Sequence, residues 1–374
     1  MKIYLDNAAT SYPKPSSVIK AARSSLSGFY GNSGRSGHSA AINSAEAISS
    51  AREEIASLFS LSVPENVCFT YNTTYALNQA ILGSIQGCKK TVLTTSLEHN
   101  SVLRPLYFLE SEGKIDLIII DVPDDDEKLL SLIRENIPVI DIAVMTAASN
   151  VTGRRLPVKK IGELLKKNGV LYIVDAAQAV GNMTIDASSF DILCAPAHKG
   201  LFGFTGLGFT VINPSSPLPF PIISGGSGTK SKRKTMPDIL PERLEAGTVN
   251  VFGAIALAEG VRYVKKRTQE KIFEHEKILC KELFDRLSDM KGITVYSNEN
   301  SNILLFNVDG LDCFEVENGL CEKDICVRSG YHCAPLIHER LKTDSGAVRV
   351  SFGAFNTKND VTALADAVFY MTKK

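Results

Sequence analysis

The 374-residue chain contains no long hydrophobic run. No stretch approaches the about 20 consecutive apolar residues that a helix needs to cross a bilayer. The amino terminus, MKIYLDNAAT, lacks the apolar core of a secretory signal. Net charge is absent too: 41 Lys plus Arg stand against 41 Asp plus Glu. No global field would therefore gather nucleic acid or an anionic membrane, and neither is expected as a partner. Internal repeats and low-complexity tracts are missing. The eight cysteines have no recurring spacing, which in a chain this long argues against a disulfide framework and for reduced thiols. The expected location is the cytoplasm.

What is present is an ordinary globular composition, 44% hydrophobic and 22% charged, in a chain too long for one typical core. Short apolar runs alternate with helical patterns over the first two thirds. NVCFTY (66–71) precedes TTYALNQAILGSI, and TVLTTS (91–96) precedes NSVLRPLYFLESEG. DLIIIDV (116–122), DIAVMTAAS (141–149), VLYIVDAA (170–177), DILCAP and GFTVIN continue the series. Continuous β-branched runs without polar alternation suit strands buried on both faces, so the reading is an α/β fold with a mainly parallel sheet. Ligands then belong at the carboxyl ends of the strands. The Pro- and Gly-rich segment 214–248 breaks the rhythm. A helical pattern over roughly 252–290, the strand candidates ITVYS, NILLFNV and GAVRVSF, and a terminal helix predict a smaller C-terminal α+β unit. The expected division is 16–250 and 251–374, with residues 1–15 packing beside the smaller unit.

Five residues raise the question of chemistry. Lys199 stands between an apolar run and a glycine-rich loop in ILCAPAHKGLFGFTGLGF, placed either as a surface lysine or to form an imine with a carbonyl cofactor. Asp175 ends a buried strand, where an unpaired carboxylate is expensive. It could cap a helix, or face a protonated ring nitrogen. Taken with Lys199, 24 positions on and past one more strand, the cofactor reading gains. Thr73 and Thr74 lie where a strand turns into a helix, a seat for an anion. His99 follows a strand as either a cap or a stacking ring.

The segments YLDNAAT, TTYALN, LEHNS, SNVTG, DAAQAVG, AHKGLFGFTGLG, RLEAGTVN, RSGYHCAPL and VRVSFGAFNT resemble, in order and spacing, those of class V pyridoxal-phosphate enzymes. The branch they resemble is that of the cysteine desulfurases and selenocysteine lyases. The resemblance runs from about residue 3 to 370 and implies a fold type I architecture, with a large seven-stranded-type, mainly parallel sheet domain and a smaller C-terminal domain carrying the cysteine loop. It implies pyridoxal 5′-phosphate as cofactor, with Lys199 as the Schiff-base lysine, Asp175 on the pyridinium nitrogen and His99 stacked on the ring. Asn150 and Gln178 would reach the ring oxygen, and Thr73, Thr74 and His198 the phosphate. Thr248 is similar to a residue that reaches the partner subunit's phosphate, which implies a homodimer. Arg349 resembles the arginine that clamps the substrate carboxylate, assisted by Arg328 and Asn150.

Cys333 sets the reaction that the resemblance implies: cysteine converted to alanine, with the sulfur left on Cys333 as a persulfide for a possible acceptor protein. Its loop, beside His332 and near Arg328, is expected to favour the thiolate. The other seven cysteines read as inert packing. Cys321, Cys326, Cys333 and His338 match no common zinc spacing, so no metal is expected. Two positions depart from the pattern: Pro196, where a serine often touches phosphate, and Tyr75, where an acidic residue is common. Three alternatives stay open: a selenocysteine lyase, a class V aminotransferase or lyase in which Cys333 is incidental, and an inactive sulfur carrier.

Overall fold

The computed structural model describes residues 2–33 and 37–373. The chain runs β1 (Ile3–Tyr4), α1 (Ser16–Leu26), α2 (Ser39–Leu58), β2 (Val67–Thr70), α3 (Thr73–Ser84), β3 (Lys90–Thr95), α4 (Asn100–Ser111) and β4 (Ile115–Ile120). It continues with α5 (Asp126–Asn136), β5 (Ile142–Thr146), α6 (Val158–Lys167), β6 (Leu171–Asp175), β7 (Ile192–Pro196), β8 (Gly208–Ile212), α7 (Val251–Arg267) and α8 (Gln269–Ser288). The last part holds β9 (Ile293–Val295), β10 (Ile303–Val308), α9 (Cys313–Cys321), β11 (Ile325–Cys326), β12 (Arg328–Gly330), α10 (Pro335–Leu341), β13 (Ala347–Ser351) and α11 (Lys358–Met371).

Seven strands form one sheet in the order β2-β8-β7-β6-β5-β3-β4. All its pairings are parallel except those of β8 with β2 and β7. Successive strand residues feed opposite faces. Val92, Ile142, Val144, Ile173 and Ile192 pack with α3 and α4, while Leu93, Ala143, Met145, Val174 and Leu193 pack with α2, α5, α6 and α7. Both faces are dry, which is why these strands read as unbroken apolar runs. This is the large, mainly parallel α/β sheet that the sequence predicts.

A second, antiparallel sheet runs β12-β13-β10-β9 and shares its own core with α8, α9 and α11. The helical pattern over 252–290 is not one helix. Thr268 adopts φ +66°, which breaks the ladder between α7 and α8, and its hydroxyl accepts from Lys271 N to cap the second helix. The buried residues of α7 lie in the core of the large sheet, and those of α8 past Leu279 in the core of the small one. At the amino terminus β1 pairs parallel with β11 in a separate two-stranded sheet, and Asp6 bridges to Ser351 of the small sheet.

Candidate active site

The carboxyl ends of β2, β3, β5, β6 and β7 face one edge of the large sheet, and the turns that follow them line one cavity. After β2, Asn72 caps α3 by accepting from Tyr75 N at 3.0 Å, so Thr73 and Thr74 begin the helix at the cavity wall. First-turn amides have no partner inside their helix and carry the positive end of its dipole. After β3 comes His99, after β5 Asn150, at the end of β6 Asp175 with Gln178 following, and after β7 His198 and Lys199. Eight residues singled out from the sequence thus share one cavity.

Lys199 is buried. Burial pushes its amine down to about 8, against the pull of Asp175 and with Arg349 and Arg328 adding to the fall. A useful fraction is therefore free amine near neutrality, as a nucleophile or base requires. Asp175 is buried and accepts from Ala177 N at 2.9 Å. Burial raises its carboxyl, while that N–H and Lys199 oppose the rise. His99 is the cap of α4, its Nδ1 accepting from Ser101 N at 3.0 Å, and it also lines the cavity. Burial, followed by the charges of Lys199, Arg328 and Arg349, pushes it down to about 4, so the ring is neutral.

Two buried polar atoms on this wall lack a partner, Thr73 Oγ1 and His198 Nδ1. With the amides of α3 they make an anion seat. Asp175 offers a carboxylate to a basic nitrogen, and Lys199 an amine to an aldehyde. A group with phosphate, aldehyde and pyridine nitrogen fits this donor set. The amides of Asn150 and Gln178 are already half used: Asn150 Nδ2 donates to His332 O at 2.8 Å, and Gln178 Nε2 to Ala8 O at 2.9 Å. Each NH₂ keeps one further hydrogen and each amide its oxygen. Pro196 ends β7 opposite Gly208 and does not line the cavity.

Two of the glycines after Lys199, Gly200 and Gly208, meet the protein's own backbone. A Cβ on Gly200 would lie 2.3 Å from Val180 O, and one on Gly208 would lie 2.6 Å from the Asn72 carbonyl carbon. They let the lysine turn and the start of α3 pack against neighbouring chain.

Cys333 comes from the other sheet. It is exposed and opens on a cleft shared with His99, Thr74 and Arg104, which adjoins the lysine cavity. His332 and Cys333 are consecutive non-glycine residues at φ +52° and +57°. Such backbone costs of order 1 kcal/mol or more per residue and persists only where its surroundings hold it. Here Asn150 Nδ2 holds His332 O, and Asn100 N donates to Cys333 O at 2.7 Å. The expectation that His332 favours the thiolate is corrected. Its ring is buried and stacks on His338 at 5.5 Å, and burial pushes its pKa far down, so it supplies no positive charge. Arg104, on the cleft wall, is a cation that the sequence reading missed, although its i,i+3 spacing from Ser101 puts the two on one helix face.

Arg349 is 2% exposed. Its Nη2 pairs with Asp6 Oδ1 at 2.7 Å, its Nη1 donates to Asn150 O at 2.9 Å, and its Nε is buried without a partner. Arg328 is its cross-strand neighbour. Thr248 is not in the cavity. It lines a separate recess with Tyr71 and Tyr75, and accepts from Asn32 Nδ2 at 3.4 Å. Tyr75 is surface-exposed and packs edge-on against Tyr71.

Glu98 was also missed. It is wholly buried, and its Oε1 accepts from Thr95 Oγ1 at 2.6 Å and Thr146 N at 3.0 Å, joining the ends of β3 and β5 beside Asp175. Burial lifts it to about 8, with Asp175 adding to the rise against those two hydrogen bonds. Among the described residues no group of three or more His, Cys, Asp or Glu could hold a metal ion, and no helix is long and apolar enough to cross a membrane.

The family model of class V aminotransferases matches residues 3–364. A probable cysteine desulfurase of Pyrococcus abyssi is 34% identical, over 96% of this chain and 91% of the relative. The apo structure of a cysteine desulfurase from Thermococcus onnurineus superposes with a TM-score of 0.90 at 29% identity, covering 100% of this chain and 95% of that one. The cysteine desulfurase CsdA of Escherichia coli, in an S-sulfonic acid form, gives 0.87 at 25% identity with the same coverage.

Proposed function

The chain belongs to the class V aminotransferase family, and on that premise we propose that it is a pyridoxal 5′-phosphate-dependent cysteine desulfurase working in the cytoplasm as a homodimer. The observation that carries the reading is the meeting of two units. Lys199 and Asp175 stand at one end of a cavity whose wall residues His99 and Thr74 also line the cleft of Cys333.

Bound there, pyridoxal 5′-phosphate would supply an aldehyde that captures amino groups and a ring that spreads the charge left when an α-proton departs. Thr73, Thr74 and His198 would hold its phosphate, Asp175 its ring nitrogen and Lys199 its aldehyde carbon. Lys199, whose amine burial lowers to about 8, would then take the substrate's α-proton. The Cys333 thiolate would attack the substrate sulfur, so that an S–S bond forms as the Cβ–S bond breaks. The carbon skeleton keeps that electron pair, takes up protons at Cβ and Cα, and leaves as alanine. Arg349 and Arg328 would orient the carboxylate, for which the Nε of Arg349 is left without a partner. The exposed Cys333 persulfide would pass its sulfur to a thiol acceptor. Thr248, outside this chain's own cavity, would complete the partner subunit's phosphate seat.

The test is the product balance. The loaded protein, given cysteine and a reductant, is expected to release alanine and sulfide in equal amounts. Cys333→Ser is expected to lower both by about 10² to 10⁴, as for loss of a catalytic group, with cofactor binding intact. Alanine formation unchanged in Cys333→Ser would overturn the persulfide route.

A further inference from the structure

Four donors converge on one backbone oxygen, the carbonyl of His198. Ser11 N and Ser11 Oγ reach it at 3.1 Å, and Thr10 Oγ1 and Lys14 Nζ at 3.0 Å. Lys14 Nζ also donates to Ser11 Oγ at 2.8 Å. A carbonyl has two lone pairs, so four donors on one oxygen make an unusually crowded contact. The oxygen belongs to the peptide group whose nitrogen is that of Lys199. All four donors come from the turn between β1 and α1, a segment that the large sheet does not need for its own pairing. The same segment touches the site twice more, through Asp6 on Arg349 and Ala8 O on Gln178.

We propose that Lys14 is a positioning residue for Lys199, its ammonium locking the His198–Lys199 peptide so that the reactive amine swings from a fixed root. This rests on the desulfurase reading for its catalytic consequence. Under that reading Lys199 holds the cofactor, releases it and then moves a proton. Its side chain must therefore move while its backbone stays put, and small misplacements of a reacting group are costly. Ser11 and Thr10 are neutral donors. Lys14 contributes the one charge-assisted hydrogen bond of the set, the stronger kind. Its amine is itself partly withdrawn from water, and burial pushes it down to about 8. Holding a half-buried ammonium is unfavourable for a lysine that only decorates a turn.

The test uses full-length protein as wild type, Lys14→Met and Lys14→Arg. Methionine keeps an unbranched apolar stem and removes the donor, whereas arginine restores a charged one. Amide hydrogen exchange is followed by mass spectrometry without cofactor and again after loading, in the peptides covering 10–14 and 197–203. Ser11 N, a member of the clamp, reports directly. In Lys14→Met both peptides are expected to exchange about tenfold faster than in wild type, with the rest of the chain unchanged. Turnover of cysteine is expected to fall about 10- to 100-fold in kcat, with KM moving by less than about threefold. Lys14→Arg is expected to recover most of both. Exchange in the two peptides, or kcat, within about twofold of wild type in Lys14→Met would overturn the assignment. If the wild-type protein releases no sulfide, the desulfurase reading fails, and the exchange measurement alone decides whether Lys14 clamps the peptide.

Discussion

Glu98 Oε2 has no partner and no water-exposed surface, while Oε1 holds the ends of two strands beside Asp175. Its folded pKa of about 8 lies above the ordinary 4.5. Between those values the folded protein keeps a proton that the unfolded chain gives up. The contribution to stability is therefore complete below about 4.5 and is lost as pH rises through about 8. Glu98→Gln, which cannot ionise, is expected to flatten the stability–pH curve across that window. Relative to wild type it should gain on the order of a few kcal/mol between the two ends. Denaturant midpoints at a series of pH values check this, and an unchanged slope would remove Glu98 as its source. Lys199 and Asp175 were legible in the sequence because a lysine before glycines and an acid ending an apolar strand are conspicuous. Glu98, Lys14 and Asp6 were not. Each is a common residue in a turn, and its partner is chosen by topology: Asp6 meets Arg349 across 343 positions.

At the scale of elements, the buried strands were easily read, since dry faces on both sides leave apolar runs with turns at their ends. The break at Thr268 was invisible because the apolar spacing runs on through both helices and only the backbone turns. The packing of α2 was hidden too. Its Arg52 grips Glu245 with two hydrogen bonds of 2.7 Å, donates to Val67 O at 2.6 Å, and shares Glu245 with Phe69 N. This pair, almost wholly buried, joins α2 and β2 to the EAGT segment that carries Thr248. Removing one member strands a buried charge, so Arg52→Ala is expected to cost about 3 to 5 kcal/mol. The loss would be read as a lower denaturant midpoint, while the double variant Arg52→Leu with Glu245→Leu is expected to lose much less. A single-variant loss no larger than that of an exposed ion pair, under about 1 kcal/mol, would contradict the assignment.

The whole molecule makes its site from parts that neither sheet holds alone. The large sheet supplies Lys199, Asp175, His99 and the anion seat, the small sheet supplies Cys333 and Arg349, and the amino-terminal turn touches both. Asn150 and Asn100 tie the cysteine loop to the edge of the large sheet through the carbonyls of His332 and Cys333. The sequence motifs supplied the members of this constellation, but Thr248, named with them, lies outside this chain's own cavity. Sulfur transfer from the cavity to Cys333 is the central claim, and peptide mass spectrometry tests it directly. Protein loaded with pyridoxal 5′-phosphate is given cysteine without reductant, then alkylated and digested. One additional sulfur atom is expected on the Cys333 peptide in the wild type and none in Lys199→Ala. Alanine formed with no added sulfur on Cys333, or with the sulfur on another of the eight cysteines, would contradict the account.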